Sequence, residues 1–274
     1  MTLPIWHAHV DVWLLFGSII AGYLISCRRH LARTGEVTPA RRKKLFLAGV
    51  LVLWIGADYP IHDLAEGYLY FMHMVQHMLF TLVAPPLLIA GVPAWLLRRV
   101  LRPAAVGAFF RVVTRPVFAL LLFNGILLFT HWPAVVTASV QSQPLHFGLH
   151  VLLVSSALVM WWPVMWTLPE YPGLAAPGQM MYLFFQSLAP TIPASFLTFG
   201  THPLYAIYAT FPRIWGMGPL RDQLLAGLLM KIVGGLILWG FIATIFFRWY
   251  AKEEREEAAG RPWSQVGGIS VEAR

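Results

Sequence analysis

Charge and cysteine are what this chain has little of. Only 12% of its 274 residues are charged, against roughly 25% in a soluble domain, so it cannot clothe a water-facing surface in the usual way. Acidic side chains are the scarcer sign, 12 against 20 Lys and Arg. The single cysteine, Cys27, excludes an intramolecular disulfide and any Cys-x-x-Cys metal motif. Its place at the end of an apolar run gives it a packing role. The start, from Met1 to His9, has no basic n-region, which predicts that no leader is cleaved.

Apolar residues are abundant: 58% of the chain is hydrophobic, in long runs rather than amphipathic stripes. Lipid is therefore the solvent, and helices are the expected solution because their backbone hydrogen bonds close within each span. Spans are expected at 10–27, 45–64, 67–90, 116–133, 144–166, 179–200 and 223–247. The fold class is all-α, a polytopic membrane bundle of about seven transmembrane helices. Residues 1–250 make the transmembrane domain and 251–274 a polar cytoplasmic tail that frays after a charged turn or two. Asp58, Pro60 and Asp63 interrupt the outer end of the second span, and Pro190 and Pro193 kink or break the sixth. Trp161, Trp162 and Trp166 end the fifth as an interfacial anchor would.

The net charge of +8 is placed for a membrane rather than for nucleic acid. Seventeen of the 20 basic residues fall in three segments: Arg28 to Lys44, Arg98 to Arg115, and Arg248 to Arg274. Only Arg213 and Arg221 occupy an opposite loop, and Lys231 lies inside the last span, in need of a partner such as Asp222 or Glu66. By the positive-inside rule the N-terminus is outside and the C-terminus cytoplasmic. The basic segments also suit anionic lipid headgroups. Loop 167–178 has no basic residue and is the weak point of this topology.

On that topology nine of the ten histidines lie at the outer face, with only His30 cytoplasmic. His73 and His77 stand four apart on the third span, and His146 and His150 four apart on the fifth, each pair on one helix face. Ligand pairs on facing helices are how bundles build core metal sites. Polar groups buried in hydrocarbon are costly unless satisfied, which makes such a cluster functional by default. Asp58 and His62 repeat the spacing if helix continues through Pro60, as do His7 and Asp11. For His7, His9 and His202, headgroup or backbone hydrogen bonding competes at least evenly with metal binding; for His131, in His131-Trp132-Pro133, the two readings are even. Met72, Met74 and Met78 flank the third-span pair; most are apolar filler, and Met78, beside His77, is the thioether candidate.

The run Phe71-Met72-His73-Met74-Val75-Gln76-His77-Met78-Leu79-Phe80, followed by Ala84-Pro85-Pro86-Leu87-Leu88 and Gly91-Val92-Pro93, resembles the CtaG family of cytochrome c oxidase assembly factors, the caa3-oxidase type. Weaker echoes lie at His131-Trp132-Pro133 and His146-x-x-x-His150. The resemblance implies a multi-pass protein of a bacterial cell membrane that helps copper reach a subunit of a haem–copper oxidase. It puts His73 and His77 first as ligands; His146, His150, His62, Asp58, His131 and Met78 complete the candidate set.

A different class competes: an intramembrane zinc hydrolase of the seven-span type, with Asp58, His62, His73, His77 and His150 furnishing three imidazoles and a carboxylate. Haem ligation by facing histidines is a third reading. A metal permease is a fourth, and it lacks ligands in the inner half.

Overall fold

The computed structural model describes residues 6–258. It is 80% helix, with no strand among the described residues. Helix α1 (Val10–Thr34) ends where Gly35, at φ 71°, turns left-handed and returns its N–H to Leu31, the usual glycine stop. α2 (Ala40–Ala57) starts after Pro39. It is followed at Pro60 by α3 (Ile61–Gly67), and the two make one apolar stretch, Ala40–Gly67.

The third span, Tyr70–Gly91, comprises α4 (Tyr70–Met78), a π-turn at Leu79–Val83, and α5 (Ala84–Gly91). The π-turn has a local cause. Pro85 has no N–H to give the Thr81 carbonyl. The indole Nε1 of Trp161 donates to that carbonyl instead, at 2.8 Å. The Thr81 hydroxyl in turn donates to the His77 carbonyl at 2.7 Å.

Short helices α6 (Ala94–Val100) and α7 (Ala104–Val113) lead into α8 (Pro116–Thr130), which is bent 81° from α7. α9 (Pro133–Gln141) and the long α10 (Gln143–Met165) follow. α11 (Ala176–Leu188) and α12 (Thr191–Phe199) occupy the stretch expected as the sixth span, broken at Ala189 and Pro190. After a 3₁₀ turn at Ala206–Ala209 come α13 (Pro219–Leu228), a second π-turn at Leu229–Val233, and α14 (Gly234–Ala258).

Five helices are long and apolar enough to cross a membrane, or six if the bent pair α7–α8 is one crossing. The expected count was higher because the sixth span is two short helices that do not reach spanning length. α14 continues through the charged residues to Ala258, and residues 259–274, where the tail was expected to fray, lie outside those described. The tryptophan cluster also differs from expectation. Trp161 and Trp162 are buried, and only Trp166 is exposed. Trp161 is drawn inward because it replaces the donor that Pro85 lacks.

Two apolar clusters hold the bundle. One surrounds α10, with Leu153, Ala157, Met160 and Trp161 against Leu82, Phe123 and Leu127. The other joins Tyr70 and Met74 of α4 to Ala194, Leu197, Ala226 and Met230. α2 packs closely on α5 through small residues, as membrane helices often do. A Cβ on Gly91 would sit 2.3 Å from the Phe46 backbone nitrogen, whereas one on Gly125 would meet nothing within 4 Å. Gly91→Ala is therefore expected to cost about 2 kcal/mol by overpacking and to lower the melting temperature in detergent. Gly125→Ala is the matched substitution expected to leave it unchanged.

The basic segments gather at one end. Arg42 donates to the Val92 carbonyl at 2.9 Å. Loop 167–178 lies at that same end: Glu170 pairs with Arg98 at 2.7 Å, and Arg111 lies 5.3 Å above the Tyr171 ring. The hydrogen bond from Arg98 holds the Glu170 carboxyl below its ordinary range. The loop without a basic residue thus borrows arginines from its neighbours.

Candidate metal centre

Opposite the arginine end, five segments converge. α4 presents His73 and His77 toward His146 and His150 of α10. α3 brings His62 and Glu66, the residues before α1 bring His9, and the end of α8 brings His131. The start of α4 is fixed from a distant part of the chain. Asp222 of α13, fully buried, accepts the backbone N–H of Tyr70 through Oδ2 and of Phe71 through Oδ1, each at 2.8 Å. It caps two of the donors that a helix N-terminus leaves unpaired. Tyr205 and Tyr208 pack on the Tyr70 ring, their hydroxyls donating to the carbonyls of His131 and Ala65.

The imidazoles form a continuous file from the aqueous end inward. The His9 ring lies 5.1 Å from His62, and His62 lies 6.0 Å from His146. His146 is 4.2 Å from His150 and 5.8 Å from His73. His73 is 4.3 Å from His77, and His77 is 5.5 Å from both His150 and His131.

Two groups within this file have metal-site spacing, with ligand atoms all within 4.8 Å of one another: His73, His77 and His150, and His62, Glu66 and His146. The inner group is all imidazole and nearly sealed, His73 being 7% exposed and His77 5%. The outer group adds a carboxylate. Glu66 is also held by Gln143, whose Nε2 donates to Oε2 at 2.7 Å.

The polar atoms here are unusual in lacking partners. His73 Nδ1, and Nε2 of His131 and His150, are buried without a hydrogen bond. His146 Nε2 and Glu66 Oε1 answer each other at 2.8 Å. Buried nitrogen and oxygen atoms without partners cost free energy. Lone pairs that converge without pairing are what a cation requires.

The structure brings together His62, His73, His77, His131, His146 and His150. Asp58 is elsewhere: its Oδ2 accepts the indole N–H of Trp13 at 2.6 Å and of Trp54 at 2.9 Å, and its Oδ1 accepts the Tyr59 N–H. Pro60 ends the helix that would have stacked Asp58 on His62. Met78 adjoins the inner group, with its sulfur against Gly234. His202 is exposed and engaged locally with Thr201. His30 stacks on Trp95, and His7, 69% exposed, reaches Asp63.

Lys231 pairs with neither proposed acid; it lies 5.9 Å over the Phe199 ring, because Asp222 and Glu66 are committed to the α4 cap and the outer group. Glu66 is the member of the outer group that the spacing of the histidines does not reveal, although it follows His62 by four residues and so shares its face.

A helical membrane protein with an imidazole core open toward one end is the class that this fold and site define. Residues 21–252 match the cytochrome c oxidase caa3 assembly factor family (Caa3_CtaG), and the chain belongs to that family. Comparison with curated proteins and with solved structures gives no match.

Proposed function

We propose that this assembly factor takes copper as cargo from the outer side of a bacterial cell membrane and helps deliver it to a subunit of the oxidase. The observation that supports this reading is the set of buried nitrogens without partners on His73, His131 and His150. Imidazole suits copper, and the neutral inner group suits its monovalent form. His62, Glu66 and His146 receive the ion near the surface; His73, His77 and His150 hold it deeper. Rings spaced 4.2–6.0 Å apart allow ligands to exchange without exposing a bare ion to hydrocarbon. The gathering of the basic segments at one end supports an outer N-terminus and a cytoplasmic C-terminus. Segment 134–143, which is mostly α9, and the connection 200–222, both at the histidine end, are the contacts for the oxidase subunit.

The test is complementation. In cells lacking the chain, wild type is expected to restore copper content and activity of the caa3-type oxidase, and a His73→Ala/His150→Ala variant expressed to the same level is expected to restore neither. Normal oxidase copper with that variant overturns the reading. The two imidazoles and one carboxylate of the outer group also match a catalytic zinc donor set. Amidase or esterase turnover abolished by chelation would favour a zinc hydrolase instead.

A further inference from the structure

We propose that a cavity beside the imidazole cluster is a second metal station, lined by thioethers and selective for monovalent copper. This rests on the copper reading above and adds where the ion goes next. The cavity, of about 40 Å³, lies between α4, α8, α10 and the last span, and its walls include Met74, Met78, Met160 and Met230 with His77 and His131. In volume it holds an ion, or about one water.

Three features mark it as built. First, the His131 ring is oriented: its Nδ1 lies 2.7 Å from the Leu127 carbonyl. That contact places the proton on Nδ1 and leaves Nε2 as a lone pair. Nε2 is buried without a partner in a side chain only 6% exposed. Second, both π-turns border the cavity, through Thr81 and Leu82 on one helix and Met230 and Lys231 on the other. π-turns inside helices concentrate at functional sites. The break between α11 and α12 borders it too, at Pro190 and Thr191. Third, a Cβ on Gly234 would lie 3.3 Å from the Met78 sulfur, so the glycine makes room for that thioether.

The donor set decides the ion. Among the described residues no carboxylate lines the cavity, so none there neutralises a divalent cation, whose burial costs far more than that of a monovalent one. Lys231 on the wall adds to that bias. Neutral thioethers and imidazole are soft ligands that suit Cu(I). His77 belongs to both the inner imidazole group and the cavity wall, which makes it the step between stations.

The test is copper X-ray absorption on the full chain in detergent, loaded to saturation with Cu(I) under reductant in a Cys27→Ser background, so that thioethers are the only sulfur. Wild type is expected to show sulfur as well as nitrogen neighbours. In Met74→Leu/Met78→Leu/Met160→Leu/Met230→Leu, which removes every thioether of the cavity wall and keeps volume and apolarity, the sulfur shell is expected to vanish and about one equivalent of copper to be lost, with nitrogen retained. In His73→Ala/His150→Ala the sulfur shell is expected to persist while nitrogen falls. A nitrogen-only shell in saturated wild type overturns the thioether station and leaves the imidazole reading standing. A sulfur shell unchanged in the Met variant also overturns it, and no bound copper in wild type overturns both.

Discussion

Purified His73→Ala/His77→Ala protein is expected to bind copper at least ~100-fold more weakly than wild type, a loss beyond the ~10–100-fold that removing an outer-sphere partner costs. The reason is geometric. His73 and His77 supply two of the three ligands of the inner group and are the only members on α4. Among the described residues the inner group has no carboxylate member to replace them, since Glu66 belongs to the outer set. Single variants should grade by position. His77→Ala, whose ring meets His73, His131 and His150, should lose more than His62→Ala at the rim. His30→Ala and His202→Ala should lose nothing. Copper content by mass spectrometry after Cu(I) loading makes the comparison. Helical content should be unchanged, because the replaced side chains include a buried nitrogen that already lacks a partner. Full copper occupancy in the double variant would move the site elsewhere.

Asp222→Ala is expected to be the most destabilising single change at a polar residue. One buried carboxylate satisfies two backbone donors at the start of α4, and each N–H left unpaired costs about 1–3 kcal/mol. The negative charge also opposes the positive end of the helix dipole, which adds to the loss. Asp222→Asn keeps one acceptor oxygen and should cost about half as much. Thermal unfolding in detergent reads the stability. Copper binding should fall in parallel, since His73 lies one turn from the released end and its ring would lose its register against α10. A melting temperature unchanged in Asp222→Ala would show that α4 is held by packing alone.

The sequence by itself determined the class of solvent, the helical fold, and which residue types would carry chemistry. Apolar runs too long for a soluble core leave the backbone no other means of satisfaction. Histidines four apart share a face wherever the helix is unbroken, so the two pairs on α4 and α10 were legible before any fold was known. The same rule failed at Asp58 and His62, where Pro60 ends the helix and two indoles take the carboxylate. Membership in the oxidase assembly family was legible too, in the motif over residues 71–93.

Tertiary structure alone decided the rest. That Glu66 faces His146, that Asp222 caps α4 rather than pairing with Lys231, and that Trp161 serves the carbonyl freed by Pro85 are contacts 80 or more residues apart. Local periodicity holds no information about such pairings. They follow from the requirement that every polar group removed from water find a partner, which only the assembled bundle can meet. The buried nitrogens that still lack one are the observation on which the copper proposal rests.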